Sequence, residues 1–225
     1  MGVIVALDAG ISFTKAKHIV DSLCSHVFGF KVGLPFLLQH GLRETSRLTR
    51  LCQDSVWIAD LKLADIGAIM ISTASMLLGA FDAFIAHSFI GYQQALDELN
   101  NYLKKHNKKT VIIASMSHRG ALEIYDKNLQ NIIDLIQHIS PWAVVAPATR
   151  PSIIRILREK VPSIILSPGI GAQGAEPGDA LCAGANYEII GRLITRSRDP
   201  ISKFFEVVEK QEEKLSRCRG NEIQS

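Results

Sequence analysis

Long hydrophobic runs are missing from this sequence. No stretch approaches the roughly 20 apolar residues that a membrane-spanning helix needs, so no such span is expected. The opening MGVIVALDAG holds only a short apolar run, broken by Asp8, which does not fit a secretory signal. Ala6 stands where a myristoylation signal after Gly2 requires Ser or Thr. Charge of one sign is also scarce: 25 Lys and Arg against 22 Asp and Glu leave a formal +3. That is too little to mark a nucleic-acid binder, and no stripe of aromatic and basic residues supports RNA binding. At most the bias helps to attract an anionic metabolite. Four cysteines (Cys24, Cys52, Cys182 and Cys218) form no C-x-x-C pair and no zinc spacing. They are expected to be reduced thiols of a soluble, cytoplasmic protein, with the disulfides of some hyperthermophile proteins as the exception.

What is present is a rhythm. Apolar residues make up 47% of the 225 and charged ones 21%, a globular balance. Short β-branched runs recur at residues 3–8, 28–33, 56–62, 83–88, 110–116, 143–148, 164–169 and 187–192. Their starts lie 21 to 33 residues apart, enough for a strand, a helix and two loops. Segments such as YQQALDELNNYLKKH and RPSIIRILREKV, with apolar residues three and four apart, predict helices between them. Near-continuous apolar strands that alternate with helices pair in parallel, covered on both faces. Eight units predict a (β/α)₈ barrel in one domain over residues 1–225, with an open doubly wound sheet as the alternative. From residue 200 a last helix is expected, followed by a polar tail without a readable signal.

The polar residues are unevenly placed. Asp8, Lys31, Asp60, Lys62, His87, Ser117 and Arg192 all fall at or just beyond the C-terminal end of a strand, the end where barrel enzymes build their sites. In VWIADLKLADIGAI a buried strand runs into Asp60, Lys62 and Asp65. Residues two apart on a strand share a face, which predicts that Asp60 and Lys62 point together into the barrel mouth, with Lys31 beside them. Two cations and two anions could form a neutral polar plug, but buried ion pairs are poor sources of stability. Their position favours chemistry. GIGAQG (169–174) matches G-x-G-x-x-G, yet it follows the seventh strand, whereas a dinucleotide fingerprint belongs to the first βα turn of its unit. In a barrel the loops after strands seven and eight commonly hold a phosphate. Glycine backbone N–H groups and the forked guanidinium of Arg192 suit that role. The 167–178 segment, rich in Gly and Pro, is the expected lid.

Taken together, ALD (6–8), FKVG (30–33), ADLKLADI (59–66), MSHRGA (116–121), SPGIGAQG (167–174) and IGR (190–192) resemble the orotidine 5′-phosphate decarboxylases of the short archaeal type. The segments occur in family order and span nearly the whole barrel. D-x-K-x-x-D alone is shared with metal-dependent sugar-phosphate decarboxylases and aldolases of the same barrel family, which are expected to carry a metal-binding Glu on strand two, where this chain has Lys31. The resemblance implies conversion of orotidine 5′-phosphate to UMP and CO₂, in pyrimidine biosynthesis, without metal or cofactor. It implies that Lys31, Asp60 and Lys62 act in one subunit's site, with Asp65 and Ile66 entering from the partner of a homodimer. Asp8 and Lys31 would hold the ribose and Ser117 the pyrimidine edge. Pro168, Gly169, Gly171, Gln173, Gly191 and Arg192 would surround the phosphate end of the substrate, and Ile85 and Ile113 an apolar pocket beside the leaving CO₂. The alternatives are the sugar-phosphate branch of the family and a catalytically silent, nucleotide-binding barrel. Two departures stand out: Gly67 and Ile69 replace the family's usual Pro and Thr, and Arg119 follows MSH where Pro is common. His87 and His118 are expected as packing or loop residues.

Overall fold

The computed structural model describes residues 2–222. Eight parallel strands close into a barrel in sequence order: β1 (Val3–Leu7), β2 (Gly29–Gly33), β3 (Val56–Leu63), β4 (Ala83–His87), β5 (Lys109–Ile113), β6 (Ala143–Val145), β7 (Ile164–Pro168) and β8 (Tyr187–Ile190). Closure is direct. Val3, Ile4 and Val5 of β1 pair with Glu188, Ile189 and Ile190 of β8, which rules out the open sheet. The strands are buried on both faces, so sequences such as VIVAL carry no polar alternation.

The helices are α1 (Phe13–Leu23), α2 (Leu34–Thr49), α3 (Gly67–Ser75), α4 (Asp97–Lys105), α5 (Leu129–Ile139), α6 (Pro151–Lys160), α7 (Asp179–Cys182), α8 (Arg192–Thr195) and α9 (Pro200–Glu222). Each longer one buries a stripe against the barrel: Ile132, Ile133, Ile136 and Ile139 on α5, and Ile153, Ile154 and Leu157 on α6. Ser12 caps α1 by accepting from the Lys15 N–H at 3.3 Å. Among the described residues no helix is long and apolar enough to cross a membrane.

Three expectations change. The helix expected from Tyr92 begins only at Asp97, because Gln93 and Gln94 leave helical geometry. The last helix continues through the supposed start of the tail to Glu222, and residues 223–225 lie outside the described part. The cysteines are not free thiols: Cys24 is bonded to Cys52 and Cys182 to Cys218. Each bridge spans about one β/α unit (28 and 36 residues), joining segments that the barrel brings side by side. No local spacing announces such pairs. By chain-entropy arguments, loops of this length give about 3–4 kcal/mol each.

Candidate active site

The strand most laden with charge is also the least regular. β3 pairs with β4 through Ile58 with Ala83 and Ala59 with Phe84, then slips before Leu63 meets Ala86. The extra residues are accommodated by a bulge in which Lys62 takes a left-handed backbone, φ 49°. For a residue with a Cβ that conformation costs about 1–3 kcal/mol, and it persists where surrounding contacts impose it. Asp60 and Lys62 do meet, as expected, with Lys62 Nζ donating to Asp60 Oδ1 at 2.8 Å. The regular strand alternation used to foresee this is not the cause; the bulge re-aims the side chain.

From Lys62 the charges alternate across the mouth. Asp60 Oδ2 lies 2.9 Å from Lys31 Nζ, which also donates to Asp8 Oδ2 at 3.0 Å. Burial alone would lower the pKa of Lys31, but Asp60 and Asp8 outweigh it and hold the ammonium above its ordinary value. Burial opposes ionisation of Asp60 as well, yet Lys31 and Lys62 draw its carboxyl below the usual value. Lys31 and Asp60 are therefore both ionised at neutral pH. Asp60 and Lys31 are buried, whereas the Lys62 side chain remains 43% exposed and faces a cavity of about 450 Å³.

That cavity occupies the C-terminal mouth of the barrel. Its wall includes Asp8, Lys31, Asp60, Lys62, Ile85, Ile113, Ser117, Pro168, Gly169, Gln173, Gly191 and Arg192. On the adjacent strands β4, β5 and β6, Ile85, Ile113 and Val145 give it an apolar stretch. Gln173, Gly191 and Arg192, from the segments after β7 and β8, line it as well, and Arg196 adds a second guanidinium. Arg196 was legible as a cation four residues after Arg192, one helical turn away. Gly171 does not line the cavity: a Cβ there would stand 3.0 Å from Leu193 Cβ, so its backbone is packed against α8.

Asp65 and Ile66 also lie outside the cavity wall of their own chain. Both are exposed; the Asp65 carboxylate accepts the Ile66 N–H at 2.7 Å. Ile66, Ile69 and Met76 present an exposed apolar surface around α3. Gly67 fits beneath Glu98, whose Oε2 would lie only 2.1 Å from any Cβ at that position.

One further group went unrecognised in the sequence. Arg150 donates to Asp126 at 2.7 Å and to the His118 carbonyl at 2.8 Å, and Ser115 donates to Asp126 at 2.7 Å. This network holds the segment that carries Ser117. His87, at the end of β4, is hydrogen-bonded through Nδ1 to the Tyr125 hydroxyl. Burial first, then the charge of Lys62, pushes its pKa down to about 4 despite Asp60. It is a neutral imidazole beside the charged row.

A family model described as "Orotidine 5'-phosphate decarboxylase / HUMPS family" matches residues 1–206. The orotidine 5′-phosphate decarboxylase of Aeropyrum pernix is 43% identical over 212 residues, covering 92% of this chain and 87% of that one. For the Sulfurisphaera tokodaii decarboxylase the figures are 40% over 220 residues, 97% and 99%. The crystal structure of orotidine 5′-monophosphate decarboxylase from Sulfolobus solfataricus has a TM-score of 0.85 at 39% identity, covering 95% of this chain and 98% of that one. The Methanocaldococcus jannaschii structure, complexed with inhibitor BMP, also has a TM-score of 0.85, at 30% identity, with coverage of 94% and 97%. The chain therefore belongs to the orotidine 5′-phosphate decarboxylase / HUMPS family, and it is an enzyme of the carboxy-lyase class.

Proposed function

We propose that the cavity takes orotidine 5′-phosphate and that Lys62 is the group on which its decarboxylation turns. The observation that carries this reading is the alternating row Asp8–Lys31–Asp60–Lys62, ending in an ammonium at the cavity wall. When the bond from C6 to the carboxylate breaks, CO₂ leaves and the electron pair stays on a ring carbon with little resonance relief. An ammonium fixed beside C6 stabilises that pair and then gives it a proton, leaving UMP and a neutral Lys62 that regains its proton from solvent.

Asp60 faces the substrate carboxylate in this arrangement. Two like charges about 4 Å apart repel by roughly 4 kcal/mol at an effective dielectric of 20, and the repulsion ends as CO₂ departs. Asp60 also holds Lys62 in place, and the larger share falls to the ammonium. Asp8 and Lys31 suit ribose hydroxyls, Ser117 the pyrimidine edge, and Ile85 and Ile113 the space beside CO₂. Gln173, Gly191 and Arg192 suit the 5′-phosphate. Phosphate binding remote from C6 can drive closure of the 167–178 segment over the ring.

The neighbouring subunit completes the site in this proposal. Asp65 and Ile66 are exposed and do not line their own cavity, and they lie beside the exposed apolar residues of α3, which supports their entry into a homodimer partner's site. The reading of Lys31 as a ribose and Asp60 contact also separates this chain from the metal-dependent branch of the family, where a Glu is expected. Cytoplasmic UMP biosynthesis is the setting we infer.

The test is to mix the enzyme with orotidine 5′-phosphate in EDTA-treated buffer and follow loss of the substrate's absorbance. Stoichiometric UMP and CO₂ are expected. Turnover that requires an added divalent ion would overturn the reading.

A further inference from the structure

Glu188 is the charged residue of β8 and is fully buried. Its neighbour Ile189 lines the cavity; Glu188 points to the opposite face, out toward the helices. Among the described residues it has no cationic partner within ion-pair distance. Its oxygens are taken instead by neutral donors. Gly178 N–H lies 3.0 Å from both, Ala180 N–H lies 3.1 Å from Oε1, and Gln211 Nε2 donates to Oε2 at 2.7 Å. Every partner is a donor, an arrangement that suits an acceptor-only carboxylate.

These donors are not scattered. Gly178 and Ala180 form the trailing stem of the segment whose leading half contributes Pro168, Gly169 and Gln173 to the cavity wall. Gln211 belongs to α9. The same stem is fastened to α9 twice more: Lys214 pairs with Glu176 at 3.0 Å and with Asp179 at 2.5 Å, and Cys182 is bonded to Cys218. Three residues after Glu188 the chain reaches Gly191 and then Arg192. One strand end therefore places Arg192 directly and holds the Gln173 segment through Glu188.

We propose that Glu188 is a positioning residue for phosphate recognition, anchoring the trailing stem of the 168–178 segment to β8 and α9 so that Gln173 and Arg192 converge on one phosphate. The inference rests on the phosphate reading given above. A buried carboxylate without a counter-ion is a poor choice for stability alone. Here it satisfies backbone donors that an apolar residue would leave stranded, at the base of the segment whose closure is proposed above. The leading half keeps its own turn, with Gly171 N–H on the Ala175 carbonyl at 2.7 Å and Gly174 N–H on the Gly171 carbonyl at 2.9 Å. It can swing as a unit on a fixed stem.

The experiment compares inhibition of orotidine 5′-phosphate turnover by UMP and by uridine, which lacks the phosphate. The full-length, disulfide-bonded wild type is measured beside Glu188→Gln, Gln211→Leu and Arg192→Ala. Glu188→Gln turns one acceptor into an NH₂ donor facing donors. It is expected to raise the UMP inhibition constant about tenfold and the uridine constant less than twofold. Gln211→Leu should move the same ratio in the same direction by a smaller factor. A purely structural role would lower the thermal midpoint and the active fraction while leaving the UMP-to-uridine ratio alone. An unchanged ratio in the variants that fold overturns the proposal, and Gln211→Leu decides alone should Glu188→Gln fail to fold. If Arg192→Ala shifts the ratio and the other two do not, the positioning role fails by itself. If Arg192→Ala leaves the ratio unchanged, the phosphate reading fails and takes this inference with it.

Discussion

The two ends of the barrel solve different problems. At the N-terminal end, Phe28 stacks on Tyr187 at 3.7 Å and lies near-parallel to Trp142 at 6.3 Å, with Lys109 Nζ 4.7 Å from the centre of the Trp142 ring. These rings sit at the starts of β2, β8 and β6 and close the floor by packing. At the C-terminal end, β2 and β3 carry ion pairs and a left-handed lysine beside an open cavity. Apolar packing stabilises the floor without chemistry. The mouth keeps charge and backbone strain that packing alone would have discarded. The difference teaches where to look for function in a barrel: at the end where local rules are broken.

The contrast can be broken from either side. At the mouth, Arg192→Ala is expected to lower kcat/KM for orotidine 5′-phosphate by about 10²–10³-fold, with a thermal midpoint close to wild type. Steady-state kinetics and calorimetry on one sample check both halves. At the floor the outcome should reverse. Phe28→Ala is expected to cost about 2–3 kcal/mol of stability while kcat per folded molecule stays within a factor of two, read from denaturant unfolding and titrated active sites.

The shared site gives a smaller, positive signal. Lys62→Ala and Asp65→Asn homodimers should each be nearly inactive. After subunit exchange half the dimers are mixed, and each carries one intact site, so recovery should approach about a quarter of wild-type activity. No recovery in a mixture shown to have exchanged would mean that Asp65 serves its own chain or no site.

The smallest effect is a pH dependence. Folded His87 has its pKa pushed to about 4 from an ordinary 6.5, so between those values the unfolded chain binds more protons. Stability should fall as pH drops through that window, and His87→Asn should flatten this part of the profile. Asp60 acts further down. With its folded pKa below 3.8, its contribution is intact above that value and is lost as pH falls through the folded pKa. Thermal midpoints against pH for both proteins separate the two.

The barrel was legible because each strand is a short β-branched run and each unit repeats at similar length. The ends of β5 and β6 were less so: ASM and APA continue the apolar pattern, but the chain leaves the sheet after Ile113 and Val145 to build the mouth. Lys31, Asp60 and Lys62 could be found from charge placed at strand ends. The bulge that joins the last two could not, since regular alternation predicts the same meeting. Arg150 and Asp126 lie 24 residues apart, and the bonded cysteines 28 and 36 apart, so only the closed barrel brings them together. Gly171 is a second case: its motif suggests a ligand contact, and only the fold reveals how closely its backbone approaches Leu193.

The most direct test of the central claim is turnover by Lys62→Ala. Its side chain is partly exposed and its partner Asp60 keeps Lys31, so removal should cost only about 1 kcal/mol of stability. A loss of at least about 10⁴-fold in kcat is expected, in a protein that still folds and still binds UMP. A folded Lys62→Ala enzyme that retained more than about one hundredth of wild-type kcat, a loss far below that expected for the combined cation and proton donor, would contradict it.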